Sequence, residues 1–359
     1  GIRFVRTVHG AYEFILPERY SPKELIGFGS FGAVIEAFDK KYNRTVAIKK
    51  IQNLVDQVDI KRVIREIVIL KNLKHDNVIG LFDVVFIKNK KRIGDVYLVF
   101  EKMDTDLFKI IKSNQPLSGD HYKFIMYQIL RAVLFLHSAN ITHRDIKPSN
   151  VLINEDCTIK LCDFGLSRSI DDNSSAGLTE YVVTRFYRAP EVMLCSHNYT
   201  KAIDVWSVGC TFGELLSKHY LFPGDNYLNQ IKLIIEMIGS ISDEDMTFVQ
   251  NDHAKNFVKG FKNIPPKNLS EVLNTKDSKA IDLLSRMIVF NPDKRLSVEN
   301  CLKHPYVTSI KDSKIVDPVF SGNLNFDFEN VENISIEVLV ALLEKEISSF
   351  ESGGNYCVN

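Results

Sequence analysis

His143, Arg144, Asp145, Lys147, Pro148 and Asn150 fall within eight consecutive residues, and Asp163-Phe164-Gly165 begins eighteen residues after Asp145. These types suit one chemistry. Phosphoryl transfer needs a carboxylate near the attacking hydroxyl, oxygen ligands for a hard divalent cation, and cations over the phosphate oxygens. Asp145, Asn150, Asp163 and Lys147 supply them. A polar turn could hold any one of these residues; the whole string at this spacing does not arise readily by chance.

Two features upstream extend the set. Gly27-Phe28-Gly29-Ser30-Phe31-Gly32-Ala33-Val34 fits GxGxxGxV, in which glycines let backbone N–H groups approach phosphate. Alone it fits a tight hairpin as well as a phosphate-binding loop. A dinucleotide site would need a helix straight after the glycines and an acid about twenty residues on. Here residues 33–38 read as a strand, and Val46-Ala47-Ile48-Lys49 stands where the acid should be. Glu66 is a carboxylate on the otherwise apolar stripe of Val63, Ile67 and Leu70, so it needs a cationic partner. Arg62, one turn back, and Lys49, from the strand, are the two candidates.

The elements around these residues follow from periodicity. Residues 1–19 read as an irregular lead-in and 20–38 as strand–turn–strand. Residues 45–51, 78–86 and 96–100 are β-rich, and 58–71 are helical. Helical spacing dominates later, at 120–138, 204–217, 228–241 and 278–289. A last helix carries Ile336, Leu339, Val340, Leu343 and Ile347 on one stripe, with Ser335 as its N-cap. The pattern is α+β, with the strands first.

Composition narrows the class. Lys+Arg and Asp+Glu are both 45, so nothing favours a general nucleic-acid binder. No apolar run reaches the roughly 18 residues of a membrane span. Six cysteines without a CxxC pair predict a reducing compartment rather than a disulfide scaffold.

The order of motifs resembles that of the eukaryotic protein kinases: the glycine loop, Lys49, Glu66, His143-Arg144-Asp145, Asp163-Phe164-Gly165, Ala189-Pro190-Glu191, residues 204–210 and Arg295. Thr179-Glu180-Tyr181 between DFG and APE is similar to the mitogen-activated protein kinases of the extracellular-signal-regulated type. The resemblance implies a bilobal fold with ATP bound in the cleft between the lobes. It implies a lead-in at 1–19 and a kinase domain at 20–306, with a small β-rich lobe to about 102 and a larger helical lobe from 103. A C-terminal extension at 307–359 would pack back on the small lobe.

Roles follow by the same resemblance. Asp145 would be the catalytic base, Lys147 would steady the γ-phosphate, and Thr184 would brace both. Asn150 and Asp163 would hold Mg²⁺; Lys49 would bind the α/β-phosphates and pair with Glu66. Gly27, Gly29 and Gly32 would cover the phosphates. Ile26, Val34, Ala47 and Leu152 would sandwich adenine, with Glu101 to Met103 as hinge, Asp106 near the ribose and Phe100 as a gatekeeper closing the rear. Thr179 and Tyr181 would be phosphorylated, with Arg62, Arg65, Arg144 and Arg168 gathering the phosphothreonine and Arg188 the phosphotyrosine. Asp312 would belong to a docking patch, a thin one because its second acid is missing. Phe186 stands where the family usually has Trp.

The expected function is a serine/threonine kinase acting on Ser/Thr-Pro sites in proteins. Its partners would be an upstream dual-specificity MAP kinase kinase and phosphatases, with no nucleic acid or membrane. It would work as a monomer in cytoplasm and nucleus. A pseudokinase scaffold is disfavoured because Lys49, Asp145 and Asp163 are all present. A lipid or small-molecule kinase is disfavoured by the TEY and APE segments.

Overall fold

Residues 4–17 form a β-hairpin where composition predicts an irregular lead-in: β1 (Phe4–His9) pairs with β2 (Tyr12–Pro17) around Gly10, whose φ is +61°. The reason is burial, since Phe14 and Leu16 alternate along β2 and are wholly buried. The computed structural model describes residues 3–29, 32–52, 54–89, 92–169, 184–195, 200–310, 319–322, 324–331, 333–353 and 355–357. The chain divides into two units. One comprises Gly1–Lys74, Val78–Asp104 and Leu324–Asn359; the other comprises His75–Asn77 and Thr105–Asn323.

The first unit continues with β3 (Tyr20–Gly29), β4 (Gly32–Asp39), β5 (Arg44–Ile51), helix α1 (Gln57–Asn72), β6 (Leu81–Asn89) and β7 (Arg92–Glu101). Strand order is β6-β7-β5-β4-β3, antiparallel throughout. Register sorts the side chains. Val34 lies opposite Lys49 and Ala47 opposite Phe100, so all four share one face. Ala33, Ile35, Val46, Ile48 and Val99 take the other face, where Phe14, Leu16 and Tyr20 complete a core.

The second unit is mainly helical. It begins with β8 (Thr105–Asp106), α2 (Leu107–Lys112) and α3 (Gly119–Ser138). Short strands follow: β9 (Ile141–Thr142), β10 (Val151–Ile153), β11 (Ile159–Leu161) and β12 (Arg168–Ser169). Then come α4 (Pro190–Leu194), α5 (Ala202–Ser217), α6 (Tyr227–Ile238), α7 (Asp252–Lys259), α8 (Leu269–Val272), α9 (Ser278–Met287), α10 (Val298–Leu302) and α11 (Pro305–Thr308). Helix α5 is the centre of this unit: Ile203 to Leu215 are all buried, including Trp206.

The chain then returns to the first unit. Helix α12 (Ile336–Ile347), capped by the Ser335 side chain on the Val338 N–H, buries Leu339, Leu343 and Ile347. Lys71 of α1 pairs with Glu346 at 3.0 Å. Strand β13 (Asn355–Cys357) adds to the β6 edge in parallel. Arg19 ties these pieces together, donating to Asp39 (2.7 Å), Asp83 (3.2 Å) and Glu351 (2.9 Å).

Candidate active site

The turn after β9 is shaped by a buried carboxylate. Asp204, in the first turn of α5, accepts the N–H groups of His143 and Arg144, both at 2.9 Å, and stands 2.9 Å from His137 Nε2. Burial alone would raise its pKa, but the imidazoles of His137 and His143 and the backbone donor hold it below the usual carboxylate range. These bonds pin Arg144 at φ +70°, a left-handed conformation that costs an ordinary residue about 1–3 kcal/mol.

The turn aims Asp145 at its neighbours. Its Oδ2 accepts from Lys147 Nζ at 3.0 Å and from Asn150 Nδ2 at 2.9 Å, and its carbonyl accepts from the same Nδ2 at 2.8 Å. Burial pushes the Asp145 carboxyl up; Lys147 pulls it back and Asp163 adds to the rise. The structure therefore brings Asp145, Lys147 and Asn150 into one cluster. Thr184 shares a cavity wall with Asp145, Tyr187 and Arg188. Thr184 is exposed, and its hydroxyl bonds neither Asp145 nor Lys147 among the described residues.

Asp163 also takes a left-handed φ, +64°. Its surroundings are held by His143, whose Nε2 lies 3.1 Å from the Cys162 carbonyl and whose ring packs, tilted by 60°, at 4.9 Å from that of the buried Phe164. The donor set fits Mg²⁺. Asn150 uses Nδ2 for both of its bonds to Asp145, so Oδ1, a hard oxygen, is what it can offer a cation, beside the carboxylate of Asp163. Mg²⁺ keeps several waters, so two protein ligands suffice.

In the first unit Lys49 Nζ meets Glu66 at 3.2 and 3.3 Å. Of the two candidates, then, the strand lysine pairs with Glu66; Arg62 lies 3.7 Å from Asp59. Both Lys49 and Glu66 are buried, and removing either would strand a charge. Ile26, Val34, Ala47 and Phe100 are half-buried, and Met103 is buried. Glu101 donates its N–H to the Gly80 carbonyl. Gly27 and Gly29 lie at the end of β3. Gly32 has a structural reason of its own, because a Cβ there would meet the Lys50 carbonyl oxygen at 2.1 Å. In the second unit Leu152 and Asp106 are cross-strand partners, and Asp106 caps α2 through the Lys109 N–H.

The arginines divide. Arg168 lies opposite Thr142 in the β9–β12 pair, two residues before Arg144. Arg65 is buried and its Nε donates to Glu329 at 2.7 Å, a partner that sequence reasoning missed. The two residues are 264 positions apart and no local pattern links them. Arg188 donates to Tyr227 at 2.6 Å. Glu191 and Arg295 form a two-pronged pair at 2.8 and 3.0 Å. Thr179, Tyr181 and Asp312 lie outside the described residues.

The protein kinase domain family matches residues 20–307. Extracellular signal-regulated kinase 1 of Dictyostelium discoideum is 46% identical over 344 residues, covering 96% of this chain and 64% of that protein. Mitogen-activated protein kinase 13 of Arabidopsis thaliana is 46% identical over 318 residues, 88% of this chain and 87% of its own. Mitogen-activated protein kinase 7 of the same plant is 48% identical over 300 residues, 83% and 81%. The α+β fold, the clustered Asp145, Lys147 and Asn150, the Lys49–Glu66 pair and these matches agree: the chain belongs to the protein kinase family, as a serine/threonine kinase of the mitogen-activated, extracellular-signal-regulated type.

Proposed function

We propose that this kinase transfers the γ-phosphoryl group of ATP to Ser or Thr followed by Pro in protein substrates, once Thr179 and Tyr181 have been phosphorylated. The arrangement of Asp145 between Lys147 and Asn150 carries the proposal. Asp145 orients the substrate hydroxyl and accepts its proton. Lys147, 3.0 Å from that carboxylate, meets the charge developing on the transferred group. Lys49, fixed by Glu66, binds the α/β-phosphates. Asn150 and Asp163 would hold Mg²⁺, which when bound neutralises phosphate oxygens.

The preference for Pro rests on likeness to the family and on backbone chemistry: a site that cannot satisfy an N–H after the phosphoacceptor favours the residue that has none. A dual-specificity kinase would act upstream and phosphatases would reverse it. The protein would work as a monomer, in cytoplasm and nucleus. The test uses full chain treated with an activating kinase. Thr179→Ala and Tyr181→Phe should each stay far below the doubly phosphorylated parent on a Ser-Pro peptide. A single mutant matching the parent, or equal rates with Ala in place of Pro, would overturn the corresponding half of the proposal.

A further inference from the structure

Glu214, on α5, is wholly buried. Its Oε2 accepts from the Tyr187 hydroxyl at 2.5 Å, while Oε1 accepts no hydrogen bond among the described residues. A buried carboxylate oxygen in that state is rare and calls for a cation. The ammonium of Lys112, at the end of α2, stands 3.6 Å from Oε1. Lys112 itself is 38% exposed. It rests against the Tyr220 ring at 4.4 Å and the Phe108 ring at 5.6 Å, with the Lys218 carbonyl at 3.5 Å. An exposed lysine thus covers a carboxylate that has no other outlet described.

One side chain, Tyr187, links the carboxylate to the cavity that holds Asp145. Tyr187, its hydrogen-bond partner, lines the same small cavity as Asp145, Thr184 and Arg188. Phe186, next in sequence, packs on Tyr220 at 5.0 Å, so the aromatic surface holding Lys112 continues into the segment leading to that cavity. Burial raises the Glu214 carboxyl, and Tyr187 and Lys112 act against the rise.

We propose that Lys112 determines substrate specificity: its ammonium occupies, from within the same chain, the position in which a Lys or Arg of a peptide substrate would otherwise pair with Glu214. The intact enzyme then gains nothing from a basic residue near the phosphoacceptor. Shortening Lys112 uncovers a buried acceptor flanked by aromatic rings, which suits a guanidinium. The inference deepens the kinase reading above and rests on it.

The experiment scans Arg through the positions flanking Ser-Pro in a peptide and compares the activated parent with Lys112→Ala, Lys112→Arg and the Lys112→Ala/Glu214→Gln double variant. In the parent each Arg should change kcat/KM little. Lys112→Ala should gain about tenfold or more at one position, mainly through KM, because a charge-assisted hydrogen bond is worth at least that factor. Lys112→Arg should behave as the parent, and the double variant should lose the gain. No gain at any position, or a gain that survives Glu214→Gln, overturns the proposal. Peptide affinity by fluorescence anisotropy reads the same contrast without turnover, whereas the parent's rate on the arginine-free peptide reports the kinase reading by itself.

Discussion

Asp145 is a carboxylate whose surroundings pull in opposite directions. Burial favours its neutral form and Lys147 favours its charge, with a net rise above 3.8. The acid limb of kcat should therefore lie above that value, since the base must be ionised. The sign for stability is the reverse. A carboxyl whose pKa is raised on folding contributes stability at pH below its unfolded value and loses it as pH rises through the folded one. Asp145→Asn should thus lose transfer by about two to four orders of magnitude while melting no lower than the parent near neutral pH. Rates across pH and a thermal melt check both halves; a large drop in melting temperature would mean that the residue is mainly structural. Asp145, Lys147, Asn150 and Asp163 were legible in the sequence because phosphoryl transfer demands those types within a short span. Glu66 was legible for another reason, as a charge on an apolar stripe. Lys112 and Glu214 were not, because neither breaks a local pattern and their contact spans 102 positions by subtraction of the two residue numbers.

At the scale of elements, periodicity located the helices well. The Ser335 cap of α12 and the stripe it precedes were read directly, because a 3.6-residue period needs no distant partner. The hairpin β1–β2 was missed, because its only buried alternation, Phe14 and Leu16, is two residues long and gains meaning only against the sheet behind it. Helix α12 gives a test at this scale. Leu343 is wholly buried, so Leu343→Ala should cost about 2–5 kcal/mol. Chemical denaturation checks it, and a loss under about 1 kcal/mol would mean that α12 is only loosely seated. Ser335→Ala should cost about 1 kcal/mol in the same assay.

For the whole molecule, the division of the chain matters most, since the first unit takes its residues from both ends of the sequence. Ending the chain at Gly322 would remove Leu339, Leu343 and Ile347, the Glu329 that grips Arg65, and the Glu351 that joins Arg19. Such a variant should lose hydrogen-exchange protection in β6 and α1 and bind hydrophobic dye, while α5 stays protected; equal protection in both would overturn this. The same division sets an order of events during synthesis. Residues 105–323 lie between the two contributions to the first unit. At roughly 5–20 residues per second a ribosome needs about 10–40 s to make them. Throughout that interval α1 waits without the helix that covers it, with Arg65 lacking its Glu329 and the β6 edge open to any passing strand. The first unit can therefore close only after both α12 and β13 have been made.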